Sequence, residues 1–181
     1  MPLSEVARAI QNLEFFTAIR ESALVYPIVL STHLSAIALF GGSILMTDLR
    51  LLGFALTGQP AADLIAGLRP WKRVGLMTML TTGLLLAGAK AEIYYANPYF
   101  QTKLSLLLLV GVHAWTFRRR VYGKAAALDA SSPMPRAAKW AACLSLALWL
   151  GIVTAGRLIA YYEPADTHVT GSAAGQRNTD R

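Results

Sequence analysis

Four long apolar runs separated by short polar connections limit what this chain can fold into. They cover residues 23–46, 74–94, 103–117 and 140–162. A helix needs roughly 20 apolar residues to cross the hydrocarbon core of a bilayer. Hydrophobic residues make up 55% of the chain and charged residues 15%, against about 45–50% and about 25% in soluble domains. The pattern predicts an all-α fold, an integral membrane four-helix bundle with short connections.

Three segments are expected along the chain. Residues 1–22 have apolar residues at helical spacing and predict a short amphipathic helix at the membrane interface, or a plain lead into the first span. Residues 23–163 hold the four transmembrane helices. Residues 164–181 are small, polar and aperiodic, which predicts a disordered tail. A short surface helix is expected at 61–68, before Pro70, and the Asn97–Pro98 pair predicts a turn.

The charges predict an orientation. Four spans place the loops 47–73 and 118–139 on one side, with ten basic and three acidic residues. The other side carries seven of each. Because Lys and Arg concentrate in cytoplasmic loops, we expect a bacterial inner-membrane protein with both termini in the periplasm. The net charge of +7 then needs no nucleic-acid partner, and the single cysteine, Cys143, excludes an internal disulfide.

Two histidines fall inside the predicted spans, where ionisable residues are costly and suggest function. His33 lies about ten residues into the first run, and His113 about ten residues beyond Lys103, the start of the third. At 1.5 Å per residue both lie roughly 15 Å deep. Two imidazoles at matched depth could ligate one haem iron from opposite faces, or hold copper. The alternative is that each histidine only hydrogen-bonds a neighbouring helix.

Basic residues near the outer boundary are candidate partners for an anionic ligand. Arg157 lies inside the end of the fourth run and Lys90 closes the second. Either could pair with haem propionates, or extend to lipid phosphates with no ligand at all.

Most of the chain, from Glu21 to about Tyr161, resembles an uncharacterised family of small bacterial four-helix inner-membrane proteins. The resemblance rests on the run from His33 to Gly42, on Asp48–Leu–Arg50–Leu–Leu–Gly53, and on shorter matching pieces. These pieces are Arg20–Glu21–Ser22, Tyr26–Pro27, Pro70–Trp71, Thr82–Gly83, Asn97–Pro98 and Ala155–Gly156–Arg157–Leu158.

A histidine followed seven residues later by an aromatic and then small residues is also similar to two characterised families. These are the copper-resistance D family and the J-type protoporphyrinogen oxidases. In the J-type protoporphyrinogen oxidases, a histidine in the first helix and a lysine before a later helix are important for function. His33 and Lys103 match those two positions. Arg50 matches a basic residue after the aromatic–glycine segment, whereas Phe40 stands where a tryptophan is expected. This resemblance implies a haem- or porphyrin-handling site at His33.

Four functional hypotheses follow. In the first, the protein binds haem b through His33 and His113, with Arg157 and Lys90 on the propionates, and passes electrons to a quinone or a redox partner protein. The second is a porphyrinogen oxidase in which Lys103 binds a substrate carboxylate. The third is copper handling, and the fourth is a non-catalytic accessory subunit. The lipid bilayer is the one partner common to all four, and a homo- or hetero-oligomer stays open.

Overall fold

A computed structural model of the protein describes residues 2–120 and 134–162, with the side chains of 118–120 left out. The described chain is helical throughout, which confirms the all-α prediction. The helices are α1 (Leu3–Gln11), α2 (Glu14–Glu21), α3 (Val25–Leu52), α4 (Ala61–Ala89), α5 (Ala91–Ala96), α6 (Pro98–Arg120) and α7 (Arg136–Leu158). A single 3₁₀ turn, Ile159–Tyr161, extends α7. The predicted loop residues 121–133 and the predicted tail 164–181 lie outside the described residues.

Two helices in the described part of the chain are long and apolar enough to cross a membrane. They are Val25–Leu52 and the continuous helix Arg136–Tyr161. The other two long helices, α4 and α6, have 29 and 23 residues, which exceeds the roughly 20 residues a span requires. Both are less apolar than the first two, so the full set of four spans stays a prediction.

Three helix boundaries differ from those expected. Helix α3 continues past residue 46 to Leu52 and ends at Gly53, whose φ of 84° is the left-handed conformation of a helix C-cap. The surface helix expected at 61–68 is not separate, because α4 runs through Pro70 without a break. Helix α6 begins at Pro98, five residues before the predicted start, since the Asn97 side chain accepts hydrogen bonds from the amides of Tyr99 and Phe100.

The four long helices form two packed pairs, α3 with α4 and α6 with α7. Helix α7 also packs on α3, whereas the α6 backbone stays apart from α3 and α4. A central apolar layer fills the middle of the bundle, with Phe40 packed edge-on to Trp149 at a ring-centroid distance of 5.5 Å. Its buried members are Ala36, Met79, Trp149 and Ile152, and its half-buried ones include Phe40, Leu106 and Val110.

The N-terminal segment folds as two short helices instead of the single one expected. The break falls at Asn12–Leu13, between α1 and α2. The Arg8 guanidinium donates to Glu92 on α5 from two nitrogens, at 3.0 and 2.6 Å. Arg20 on α2 reaches the carbonyl of Ala89 at 3.4 Å. These contacts dock the segment on the end of α4 and on α5.

Candidate functional site

His33 is held against α4 by a hydrogen bond to a threonine. Its Nδ1 lies 2.9 Å from the hydroxyl oxygen of Thr82. An added Cβ at Gly83 would lie 3.1 Å from His33 Cε1, so the ring fits there because position 83 has no side chain. The carbonyl of Met79 lies beside the ring as a second acceptor. Helix α4 therefore fixes both the position and the rotation of the imidazole.

The hydrogen bonds of Thr82 determine which nitrogen of His33 carries the proton. A hydroxyl donates one hydrogen, and that of Thr82 points to the carbonyl of Thr78 at 2.6 Å. With its hydrogen on that bond, the shorter of its two backbone contacts, Thr82 accepts from His33, and we assign the hydrogen of the neutral ring to Nδ1 from this network. In that tautomer Nε2 of the neutral ring presents its lone pair, while Nδ1 is hydrogen-bonded to Thr82. This is the tautomer of a histidine that ligates a metal through Nε2.

Lys103, from α6, is the cation whose charge acts on this histidine. Its side chain packs on Gly156 of α7, where an added Cβ would lie 3.7 Å from Nζ. Among the described residues Lys103 has no hydrogen-bond or carboxylate partner, although it is only half-exposed. We call His33, Thr82 and Lys103 the histidine site.

His113 lies well away from the histidine site. It is ten residues further along α6 than Lys103, or about 15 Å along the helix axis. Its ring stacks on Phe117 at a centroid distance of 5.9 Å and faces the carbonyl of Ala141. The central apolar layer, which includes Trp149, lies between the two levels. The structure therefore does not bring His33 and His113 together, because α6 begins earlier than the apolar run and Lys103 is already inside the bundle.

A second polar region lies on the His113 side of the apolar layer. It is a cavity of about 340 Å³ that all four long helices line, and we call it the polar cavity. Lys72 donates to the Thr47 hydroxyl at 2.7 Å, while Arg69 and Arg73 lie at the rim. The rest of the wall is mostly aromatic and aliphatic, including Phe40, Ile44, Leu76, Val110, Phe117 and Trp149.

Two buried polar atoms in the wall of the polar cavity lack partners. Asp48 is 6% exposed and Trp149 is 8% exposed. Asp48 Oδ2 and Trp149 Nε1 make no hydrogen bond within the described residues. Ser145 of α7 and Lys72 of α4 lie next to the Asp48 carboxyl. A buried polar atom without a partner costs roughly 1–3 kcal/mol, and each of these two atoms has less than 1 Å² of accessible surface.

The other two predicted cofactor residues make local contacts elsewhere. Arg157 is exposed, donates to the Tyr161 hydroxyl at 2.7 Å and lies over that ring. The Lys90 ammonium lies 4.9 Å from the centre of the Tyr26 ring. Close by, burial raises the pKa of Tyr94 to about 12, and Tyr26 adds to the effect, so this phenol stays protonated. Of the three predicted cations, Lys103 is the one placed beside His33.

Sequence reasoning missed Asp48 and Lys72 as site residues because it assigned both to a loop. Asp48 lies within α3, and Lys72 lies within α4. The available signal was Gly53, the first residue after 46 that suits a helix C-cap. Arg50, which the family resemblance singled out, is 4% exposed and donates from Nε and Nη2 to the Gln59 carbonyl at 3.0 and 2.8 Å. It therefore closes the connection between α3 and α4.

Comparisons with known proteins identify the family of the chain but no individual relative. No curated protein and no solved structure matches the chain. A family model described as a family of unknown function, DUF6644, matches residues 19–162, a range that includes the histidine site and the described wall of the polar cavity. The chain therefore belongs to the DUF6644 family.

Proposed function

We propose that the protein is an integral membrane protein whose α3, α4, α6 and α7 each cross the bacterial inner membrane. Large apolar side chains are exposed all along these helices, among them Leu34 at 57%, Leu84 at 72%, Leu108 at 71% and Leu150 at 70%. Such a surface is unfavourable in water and suits lipid. The excess of basic residues over 47–73 and 118–139, at the ends of these helices and between them, supports an orientation with both termini in the periplasm.

Within this bundle we propose that His33 binds haem b and that the protein passes electrons to a membrane partner. The observation that carries the proposal is the Thr78–Thr82–His33 chain of hydrogen bonds, which leaves Nε2 as the free lone pair. A second-shell hydrogen bond to Nδ1 orients a ligating imidazole and raises its basicity. The haem would supply the one-electron chemistry. Lys103 is the residue suited to pair with a propionate, because it is a partly buried cation without a partner among the described residues.

This proposal uses a single histidine. His113 is separated from the histidine site by the apolar layer and is therefore not assigned as the opposite ligand. Arg157 and Lys90 are likewise not assigned to the propionates, since each is engaged with a tyrosine ring.

The test is the absorbance of the full-length protein, purified in mild detergent from haem-replete cells. We expect a Soret band that disappears in His33→Ala. The band should persist in the control variant His113→Ala, which removes a histidine elsewhere in the same bundle. Lys103→Ala should keep the band but bind added haem more weakly. A colourless wild-type protein that also fails to bind added haem would refute the haem proposal and favour a non-catalytic accessory subunit.

The placement of Lys103 beside His33 also favours a second candidate, a porphyrinogen oxidase. A porphyrinogen carries carboxylates that a partly buried lysine can bind. Expression in a strain that lacks this activity tests the idea. Lys103→Ala should abolish rescue, whereas Lys90→Ala, which removes a cation from Tyr26, should retain it. Copper handling gains no comparable support, because the described residues contain no group of three or more His, Cys, Asp or Glu side chains that could hold a metal.

A further inference from the structure

Three cations of α4 meet at the polar cavity. Lys72 and Arg73 follow Arg69 by three and four residues, so the three share one face of the helix, and all of them line the cavity. Among the described residues no carboxylate forms an ion pair with any of them. The one carboxylate in the lining, Asp48, is buried next to Lys72. The lining therefore carries positive charge that the described chain does not neutralise.

The neighbouring connection does not supply the missing negative charge. It lies at the same end of the bundle, because it joins α6 to α7, and both of these helices line the cavity. Residues 118–133 contain four basic residues and one acidic residue. An anion that meets the cations of α4 therefore has to come from outside the chain.

The position of the cations along the helices matches a boundary of the bilayer. Arg73 and Arg69 precede Lys90, the C-cap of α4, by 17 and 21 residues, which is about 26 and 32 Å along the axis. Thr47, which accepts from Lys72 at 2.7 Å, lies 22 residues beyond the first residue of α3, or about 33 Å. The hydrocarbon core is about 30 Å thick. Both helices thus put the cations at the level of the lipid phosphates in the leaflet opposite Lys90.

The rest of the polar cavity suits hydrocarbon. Aliphatic and aromatic side chains form most of its wall, among them Ile44, Leu76, Val110 and Phe117. Two of the lining cations and Ala114 are exposed, so the cavity opens to the surface of the bundle. Its volume of about 340 Å³ lies at the small end of ligand sites. That space suits a head group with the first carbons of a chain, while the rest of the chain stays in the bilayer.

We infer that the polar cavity binds an anionic phospholipid of the cytoplasmic leaflet. The phosphate accepts from Arg69 and Arg73, since guanidinium groups match phosphate oxygens, and Lys72 adds a point charge at the wall. Basic pockets between transmembrane helices on the cytoplasmic side are suited to anionic lipid head groups. The inference rests on the proposed membrane spans and orientation. It does not depend on haem, because His33 does not line the cavity.

The experiment compares two lipids with identical chains in calorimetric titrations of the full-length protein in mild detergent. Dioctanoyl phosphatidylglycerol has a net negative charge, whereas dioctanoyl phosphatidylcholine has the same phosphate and adds a choline cation. We expect saturable binding of the first and at least tenfold weaker binding of the second. Glycerol 3-phosphate, which offers a phosphate without chains, should also bind at least tenfold more weakly. These comparisons use the wild-type protein and do not depend on the folding of any variant.

Two double variants then locate the site. Arg69→Gln combined with Arg73→Gln should weaken phosphatidylglycerol binding roughly 10- to 100-fold, because charge-assisted hydrogen bonds to the phosphate are lost. The matched control combines Arg136→Gln with Lys139→Gln, which removes two exposed cations at the start of α7, outside the cavity lining. It should bind the lipid within about twofold of the wild type. His33→Ala should also bind normally, so failure of the haem proposal leaves this result unaffected.

Three results would overturn the inference. Equal affinity for the two lipids would mean that the charge of the head group does not matter. Equal affinity for glycerol 3-phosphate and phosphatidylglycerol would mean that the site takes a water-soluble anion. Equal lipid affinities of the two double variants would mean that the lipid is attracted by the basic surface in general.

A separate measurement distinguishes these results from failure of the proposed membrane spans. Membranes that contain the full-length protein are washed with alkaline carbonate, and we expect the protein to stay in the membrane fraction. Release into the wash would refute the membrane spans and the lipid site together. A protein that stays in the membrane and gives any of the three results above refutes the lipid site alone.

Discussion

Replacing Thr82 with valine tests the central step of the proposed function. Valine keeps the shape of threonine and removes the hydroxyl that accepts from His33 at 2.9 Å and donates to Thr78 at 2.6 Å. The bond to Thr78 closes one turn of α4 and contributes little, because that carbonyl keeps its helical partner. The hydrogen bond to His33 contributes about 1 kcal/mol of net stability. Removing the Thr82 hydroxyl alone leaves His33 Nδ1 without its partner, which costs roughly 1–3 kcal/mol.

That loss has a direct consequence for haem binding. Without the Thr82 hydroxyl the imidazole loses the acceptor that orients it at 2.9 Å, and its rotation is less restricted. Loss of a second-shell partner lowers metal affinity by about 10- to 100-fold in known sites. We therefore expect Thr82→Val to bind added haem 10- to 100-fold more weakly than the wild type, in a titration followed at the Soret maximum.

The matched control is Thr116→Val. The Thr116 hydroxyl also donates to the carbonyl four residues earlier, Val112, at 2.9 Å, but it contacts neither His33 nor α4. Its haem affinity should match the wild type within about twofold. Equal affinities for Thr82→Val, Thr116→Val and the wild type would refute the assignment of Thr82 as the residue that positions His33.

The remaining predictions concern the scaffold. Gly75→Ala should destabilise the fold by about 1–2 kcal/mol, because the added methyl would lie 3.0 Å from the Phe40 backbone nitrogen and overpacking outweighs the gain in helix propensity. Gly67→Ala, at a position with open space around it, should instead stabilise the fold by up to about 1 kcal/mol. Unfolding followed by circular dichroism of the helices ranks the stability of the two variants. A Gly75→Ala protein more stable than Gly67→Ala would contradict the close crossing of α3 and α4. Asn97→Ala should cost about 2–3 kcal/mol through loss of the α6 cap and of the 3.3 Å bond to the Ile159 carbonyl. Asn97→Ser, which keeps a capping oxygen without placing a charge at this 1% exposed position, should cost less in the same assay, and equal costs would show that the cap does not matter.

The helical class could be predicted from the sequence because long apolar runs admit few alternatives, but the helix ends depend on particular capping residues. The Asn97–Pro98 pair predicts a turn, and the same pair is also an N-cap followed by proline at the first helical position. The chain does break at Asn97, but α6 begins directly after it, five residues before the predicted start. Pro70 was interpreted as a helix end, whereas α4 continues through it. Composition alone does not show whether a proline ends a helix, begins one or lies inside one, since tertiary packing determines whether a helix continues.

The expected start of α6 at Lys103, five residues too late, also affects the candidate site. Counting depth from Lys103 placed His113 level with His33, whereas Lys103 itself lies at the level of His33 once α6 begins at Pro98. The pairing of His33 with Lys103 came from a family resemblance and not from spacing. The bond to Thr82 could be anticipated only as a threonine on a facing helix, because the rotation of α3 against α4 depends on the contact between Gly75 and Phe40.

Trp149 connects the two candidate sites through packing. Its ring lies edge-on to Phe40, and a Cβ added at Gly41 would lie 3.9 Å from it. Phe40 in turn contacts Gly75 at the crossing of α3 and α4, which sets the distance between His33 and Thr82. The packing of Trp149 therefore also supports this crossing.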